Sequence, residues 1–137
     1  GSNLGYGRAH NIALKRSIHE GVPYHIVMNP DVYFSYGTIE KLFEFMENQH
    51  NVGLIMPKVL YPDGSLQYLC KMIPTPMDVF ARRFLSFGFL NGIVEKNNDR
   101  FELRFTGYDK VMNIPYLSGC FMFLRTCALI DVGLFDD

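Results

Sequence analysis

Apolar residues in this chain fall in short runs, separated by turns rich in Gly, Pro and Asp, and the runs switch between helical and strand spacing. Over residues 7–20, Ala9, Ile12, Ala13 and the stem of Arg16 recur at helical intervals, which predicts a helix closed by Gly21 and Pro23. Tyr24-His25-Ile26-Val27-Met28 then reads as a short buried strand. It must stop by about Asn29, because Pro30 has no amide hydrogen to extend a ladder. Beyond Asp31, Ser35 can cap a second helix running through Asn48. Its Ile39, Leu42, Phe43 and Met46 lie at i, i+3, i+4, i+7, with Glu40, Lys41, Glu44 and Glu47 on the other face. Residues 52–56 read as the next buried strand, again stopped by a proline, Pro57.

The second half is less regular. Asp63-Gly64 supplies the positive φ that a tight hairpin turn requires, so residues 66–72 are expected to return as a strand. Residues 76–87 fit a helix, with Val79, Phe80, Phe84 and Phe87 on one face and Arg82 and Arg83 on another. Residues 88–104 are polar and irregular, as a lid or binding loop would be. Residues 111–124 are dense in apolar side chains and predict one long buried strand, in which Ser118-Gly119 leaves room for a neighbour beside the backbone. A short helix over 125–130 follows. The alternation of helix and strand is that of an α/β domain.

Composition supports a packed core: 137 residues are 48% hydrophobic and 15% aromatic. With 13 basic and 14 acidic residues the net charge is −1, so there is no general attraction to nucleic acid or an anionic membrane. Cys70, Cys120 and Cys127 are odd in number and far apart, which argues against a disulfide framework and fits a reducing cytoplasm. Neither they nor His10, His19, His25 and His50 show zinc-ligand spacing. No apolar run reaches the ~18–20 residues of a membrane span.

Candidate chemistry centres on Asp31. It sits on a stiff turn just past the carboxyl end of a strand, where ligands bind in open α/β sheets. Gly5 and Gly7 open the preceding helix, whose free amides attract an anion. A carboxylate facing such amides suits a divalent metal bridged to a phosphate, with the ligand's own oxygens completing the coordination. Spacing alone leaves two structural alternatives open: Asp31 caps the next helix, or closes an Asx turn.

The motifs in order carry a resemblance. Asn3-x-Gly5-Tyr6-Gly7-x-Ala9-x-Asn11, the strand with Asn29-Pro30-Asp31-Val32, Pro57-Lys58, and Asp63-Gly64-Ser65-Leu66-Gln67 resemble family 2 glycosyltransferases. Leu117-Ser118-Gly119-Cys120-Phe121-Met122-Phe123-Leu124-Arg125, followed by Val132-Gly133-Leu134-Phe135-Asp136, extends the likeness over nearly the whole chain. It is most similar to the bacterial rhamnosyltransferase-like branch that builds cell-surface polysaccharide.

The resemblance implies a GT-A-like, Rossmann-related α/β fold: a mixed sheet with flanking helices, incomplete at both ends. Residues 1–60 would be the donor-side half and 61–137 the acceptor-side half. It places Gly5, Tyr6, Gly7, Asn11, Asn29 and Asp31 on the nucleotide-sugar donor, and Ser118 and Gly119 on the acceptor side. Asp31 would hold Mg or Mn together with the donor diphosphate, Asn29 standing where the family's Asp-x-Asp motif has its first Asp. The implied reaction transfers a sugar, with inversion, to a saccharide or lipid-linked acceptor in the cytoplasm or at the inner face of the plasma membrane. The family's first strands would precede Asn3. Its catalytic base would lie beyond Asp137, itself in a place where Glu is usual, so the chain reads as an internal fragment expected to be inactive alone. An exposed sheet edge would then favour a homodimer. Two rivals remain: a nucleotidyltransferase, and a non-catalytic nucleotide-sugar-binding or assembly domain on the same fold.

Overall fold

The computed structural model describes residues 4–73, 76 and 98–136. They form a mixed α/β chain with small antiparallel sheets, divided into two compact units: Gly1–Pro57 with Gly119–Asp137, and Lys58–Ser118. The last stretch of the chain therefore returns to the first unit. Among the described residues no helix is long and apolar enough to cross a membrane.

The first unit holds helix α1 (Tyr6–His19), strand β1 (Tyr24–Met28), helix α2 (Thr38–Asn48) and strand β2 (Leu54–Ile55). The second unit holds strands β3 (Cys70–Lys71) and β4 (Tyr116–Leu117), with a 3-10 turn at Arg104–Thr106. Strand β5 (Phe121–Arg125) and helix α3 (Thr126–Val132) complete the first unit.

In the first unit the strand order is β1-β5-β2, and β5 is antiparallel to both neighbours. It follows that β1 and β2 run the same way and end on the same side. Odd-numbered β5 residues face α2: Phe121 and Phe123 pack with Met46, joined by Ile39, Leu42, Ile55 and Tyr24. The opposite face carries Leu14 of α1 with Val27 and Leu124, joined by Leu129, Leu134 and Phe135. Fully burying side chains of this kind contributes roughly 1.5–3 kcal/mol each, so the two clusters hold α1 and α2 against opposite faces.

Several expectations are corrected. The inward stripe of α1 runs through Asn11 and Leu14, while Ala9, Ile12, Ala13 and Arg16 are exposed. Alanine at helical spacing marks no face on its own, and a polar Asn hid the true one. Helix α2 begins at Thr38 behind Gly37, whose φ of 81° is left-handed, and Ser35 contributes only its carbonyl, to the Thr38 N–H at 3.2 Å. The long strand over 111–124 is two short strands, broken by a turn at Gly119-Cys120 and paired in different sheets. The expected mixed sheet is seen, among the described strands, only as antiparallel ladders.

The strand expected over 52–56 forms as the short strand Leu54–Ile55, and that over 66–72 as Cys70–Lys71 with an isolated bridge at Leu66. The Asp63-Gly64 turn does form. Gly64 has φ +85°, Asp63 Oδ1 accepts from the Ser65 N–H at 2.8 Å, and Leu60 bridges Leu66. The helix expected over 76–87, with Arg82 and Arg83, lies outside the described residues except for Pro76, as do residues 88–97, Asn3 and Asp137.

Within the second unit, Tyr108 is the anchor. Its hydroxyl donates to the Glu102 carbonyl at 2.7 Å and accepts from the Cys70 N–H at 3.1 Å, and burial pushes it up to about 12. Lys58 donates to the Gly107 carbonyl at 2.9 Å and pairs with Asp109 at 2.8 Å.

Candidate functional site

The ladder between β1 and β5 runs one residue past β1. Met28 sits opposite Phe121, and the Asn29 N–H donates to the Cys120 carbonyl at 2.9 Å. The chain then reverses. The Val32 N–H donates to the Asn29 carbonyl at 3.3 Å, closing a four-residue turn with Pro30 and Asp31 in the middle. Proline suits the second position of such a turn because its φ is already set. Asp31 is left exposed, and among the described residues its carboxylate has no hydrogen-bond or ionic partner. Neither structural alternative for it is realised: α2 is capped by Gly37 without a side-chain bond, and no Asx bond forms at Asp31.

Beside this turn lies the start of α1. Gly5 is its N-cap at φ 79°, and the first helical bond runs from the Ala9 N–H to the Gly5 carbonyl at 3.2 Å. The amides of Tyr6, Gly7 and Arg8 therefore have no carbonyl within the helix to bind. The Tyr6 hydroxyl donates to the Gly119 carbonyl at 2.9 Å, and burial with the nearby Cys120 thiol raises its pKa. A Cβ at Gly119 would come within 2.7 Å of that hydroxyl, so the room left at residue 119 is taken by Tyr6. Gly7 is equally constrained, since a Cβ there would overlap the carbonyl of Asp136.

Asn11 is 3% exposed, and its amide is used on the returning chain: Nδ2 donates to the Phe135 carbonyl at 2.7 Å, and Oδ1 accepts from the Phe135 N–H at 3.0 Å. His10 stacks edge-on with Tyr6 at 4.4 Å and lies 6.1 Å from the Phe135 ring.

Gly5, Tyr6, Gly7, Asn29, Asp31 and Gly119 are thus gathered at one end of the sheet, the carboxyl end of β1, linked through the Gly119-Cys120 turn. Ser118 is half-buried and belongs to the second unit. Sequence reasoning did not find Phe135 as the partner of Asn11. A polar residue three positions before the buried Leu14 was the available signal.

One carboxylate is a weak metal site. Among the described residues no three His, Cys, Asp or Glu side chains cluster as a ligand set. Asp31 nonetheless offers a hard, exposed oxygen donor of the kind Mg²⁺ and Mn²⁺ take when substrate phosphates and water fill the other positions.

Compared with protein-family models, with curated proteins and with solved structures, the chain matches none.

Proposed function

We propose an inverting, metal-dependent glycosyltransferase function of GT-A fold, resembling family 2, that uses a nucleoside-diphosphate sugar. The observation carrying this is Asp31: an exposed carboxylate without a partner among the described residues, on a proline turn at the carboxyl end of β1. The start of α1 lies at the same end of the sheet and supplies amides suited to phosphate oxygens. The ordered motifs from Gly5 to Asp136 supply the family likeness.

In this reading Asp31 holds the cation and the donor diphosphate, and Asn29 lies against the ribose or sugar. The metal, when bound, takes up charge on the departing diphosphate. Tyr6, Gly7 and Asn11 build the wall behind the donor rather than touching it, because their groups are engaged with Gly119, Asp136 and Phe135. Deprotonation of the acceptor hydroxyl is assigned to none of the described residues. The acceptor is a saccharide or a lipid-linked saccharide of the bacterial surface, and the work is done in the cytoplasm or at the inner membrane face.

Thermal protection tests the assignment. A nucleotide sugar with Mn²⁺ should raise the melting temperature, a ligand at about 100 times its Kd adding about 2.7 kcal/mol. Protection by nucleoside triphosphates, with none from nucleotide sugars, would instead identify a nucleotidyltransferase.

A further inference from the structure

Two successive carbonyls of the Gly119-Cys120 turn are bound by the two parts of the candidate site. The Cys120 carbonyl accepts from the Asn29 N–H at 2.9 Å, at the base of the Asp31 turn. The Gly119 carbonyl accepts from the hydroxyl of Tyr6, the first residue of α1, at 2.9 Å. The start of α1 and the Asp31 turn are therefore joined through two hydrogen bonds and one peptide unit. The fit is close. A Cβ at Gly119 would stand 2.7 Å from the Tyr6 hydroxyl oxygen and 3.4 Å from the ring carbon that bears it.

This strut does little for the fold as a whole. Tyr6 is 48% exposed, and a hydrogen bond open to water replaces one that water would make. Phenylalanine would keep the ring's edge-on contacts with His10 at 4.4 Å and Phe135 at 5.8 Å. The body of α1 is held separately, by buried Leu14 and by the Asn11 bonds to Phe135. What the hydroxyl fixes is the first turn, because Gly5 gives α1 no side-chain cap. That turn presents the amides of Tyr6, Gly7 and Arg8, which have no carbonyl within the helix to bind.

We infer that Tyr6 is a positioning residue, setting the span between these amides and the Asp31 carboxylate so that both serve one diphosphate. The inference rests on the donor-site reading of Asp31 and deepens it by naming the part that sets the spacing. Amides holding an anion and a carboxylate holding a cation share one ligand only when their separation matches it, to within about 0.5 Å in a preorganised site. Without the hydroxyl, the first turn of α1 is free to shift against the Gly119-Cys120 turn, while the amides and Asp31 themselves are unchanged.

Isothermal titration of UDP and of dTDP in Mn²⁺, with urea unfolding alongside, tests this on the wild type, Tyr6→Phe, Gly119→Ala and the double variant. Tyr6→Phe should unfold at the wild-type urea concentration yet bind the diphosphate about three- to tenfold more weakly. Gly119→Ala should also weaken binding, by displacing the phenol. Added to Tyr6→Phe it should cost nothing more, since the overlapping oxygen is gone. In Asp31→Asn, Tyr6→Phe should likewise have no further effect, because the span then lacks one of its two ends. A residue that only shapes the wall would give additive losses in both combinations.

Wild-type affinity in Tyr6→Phe overturns the proposal, as do additive losses, or a lower urea midpoint accompanying the weaker binding. Failure of the wild type to bind either nucleotide with Mn²⁺ overturns the donor reading, and the positioning role with it.

Discussion

The side chain of Asn11 satisfies both backbone polar groups of Phe135, donating to its carbonyl at 2.7 Å and accepting from its N–H at 3.0 Å. This ties α1 to a segment 124 residues later and fixes the wall beside Gly7. Asn11→Ala leaves those half-buried groups without this partner and should cost about 1–3 kcal/mol, seen as a lower urea midpoint. If the midpoint does not move, the clamp contributes nothing to stability.

Arg125 joins β5 to α2. Its guanidinium donates to the Val52 carbonyl at 2.9 Å, to the Tyr24 hydroxyl at 2.9 Å and to the Met46 and Gln49 carbonyls at the end of α2. The Met46 carbonyl also accepts from the Gln49 N–H at 3.3 Å and the Gln49 carbonyl from the Val52 N–H at 3.1 Å, so the arginine adds a charged donor at the C-terminal end of α2. Lysine cannot reproduce the planar fork. Arg125→Lys should lower stability by about 1–3 kcal/mol and shorten α2, measured by urea unfolding and by hydrogen exchange at Gln49 and Asn48.

Strands and helices were legible where local pattern and partner agreed. Tyr24–Met28 matches its expected strand because Pro30 stops it, and α1 and α2 end within a residue of the positions that the spacing of Gly21 and Asn48 indicates. The break at Gly119-Cys120 was not legible. Apolar density over 111–124 reads the same whether it is one strand or two, and only the pairing of Tyr116 with Lys71 and of Phe121 with Met28 distinguishes them. The Asp31 turn was foreseen from Asn29-Pro30-Asp31. The roles of Tyr6 and Asn11 as struts were not, since their partners Gly119 and Phe135 are more than a hundred residues away.

His25 should make stability depend on pH. Burial lowers its pKa from 6.5, with nearby His10 adding to the effect, while Ser17 Oγ lies 2.7 Å from its Nδ1. The folded protein therefore takes up this proton at lower pH than the unfolded chain does. Stability is complete above the unfolded pKa near 6.5, and declines as pH falls through it toward the folded value. Urea midpoints between pH 8 and pH 5 should show this decline, and His25→Gln should make it shallower. An equal slope in the variant would assign the dependence to other groups.

The central claim is that Asp31 binds a divalent cation together with a nucleoside diphosphate. Because the side chain is exposed and unpartnered among the described residues, Asp31→Asn should unfold at the wild-type urea concentration. Isothermal titration with UDP and with dTDP, in the presence and absence of Mn²⁺, measures the claim directly. The wild type should bind at least one of them only with Mn²⁺, and Asp31→Asn should lose about tenfold or more of that affinity, as when one charged ligand is removed from a metal site. Mn²⁺-dependent binding of equal strength in Asp31→Asn, or binding indifferent to the metal, would contradict it.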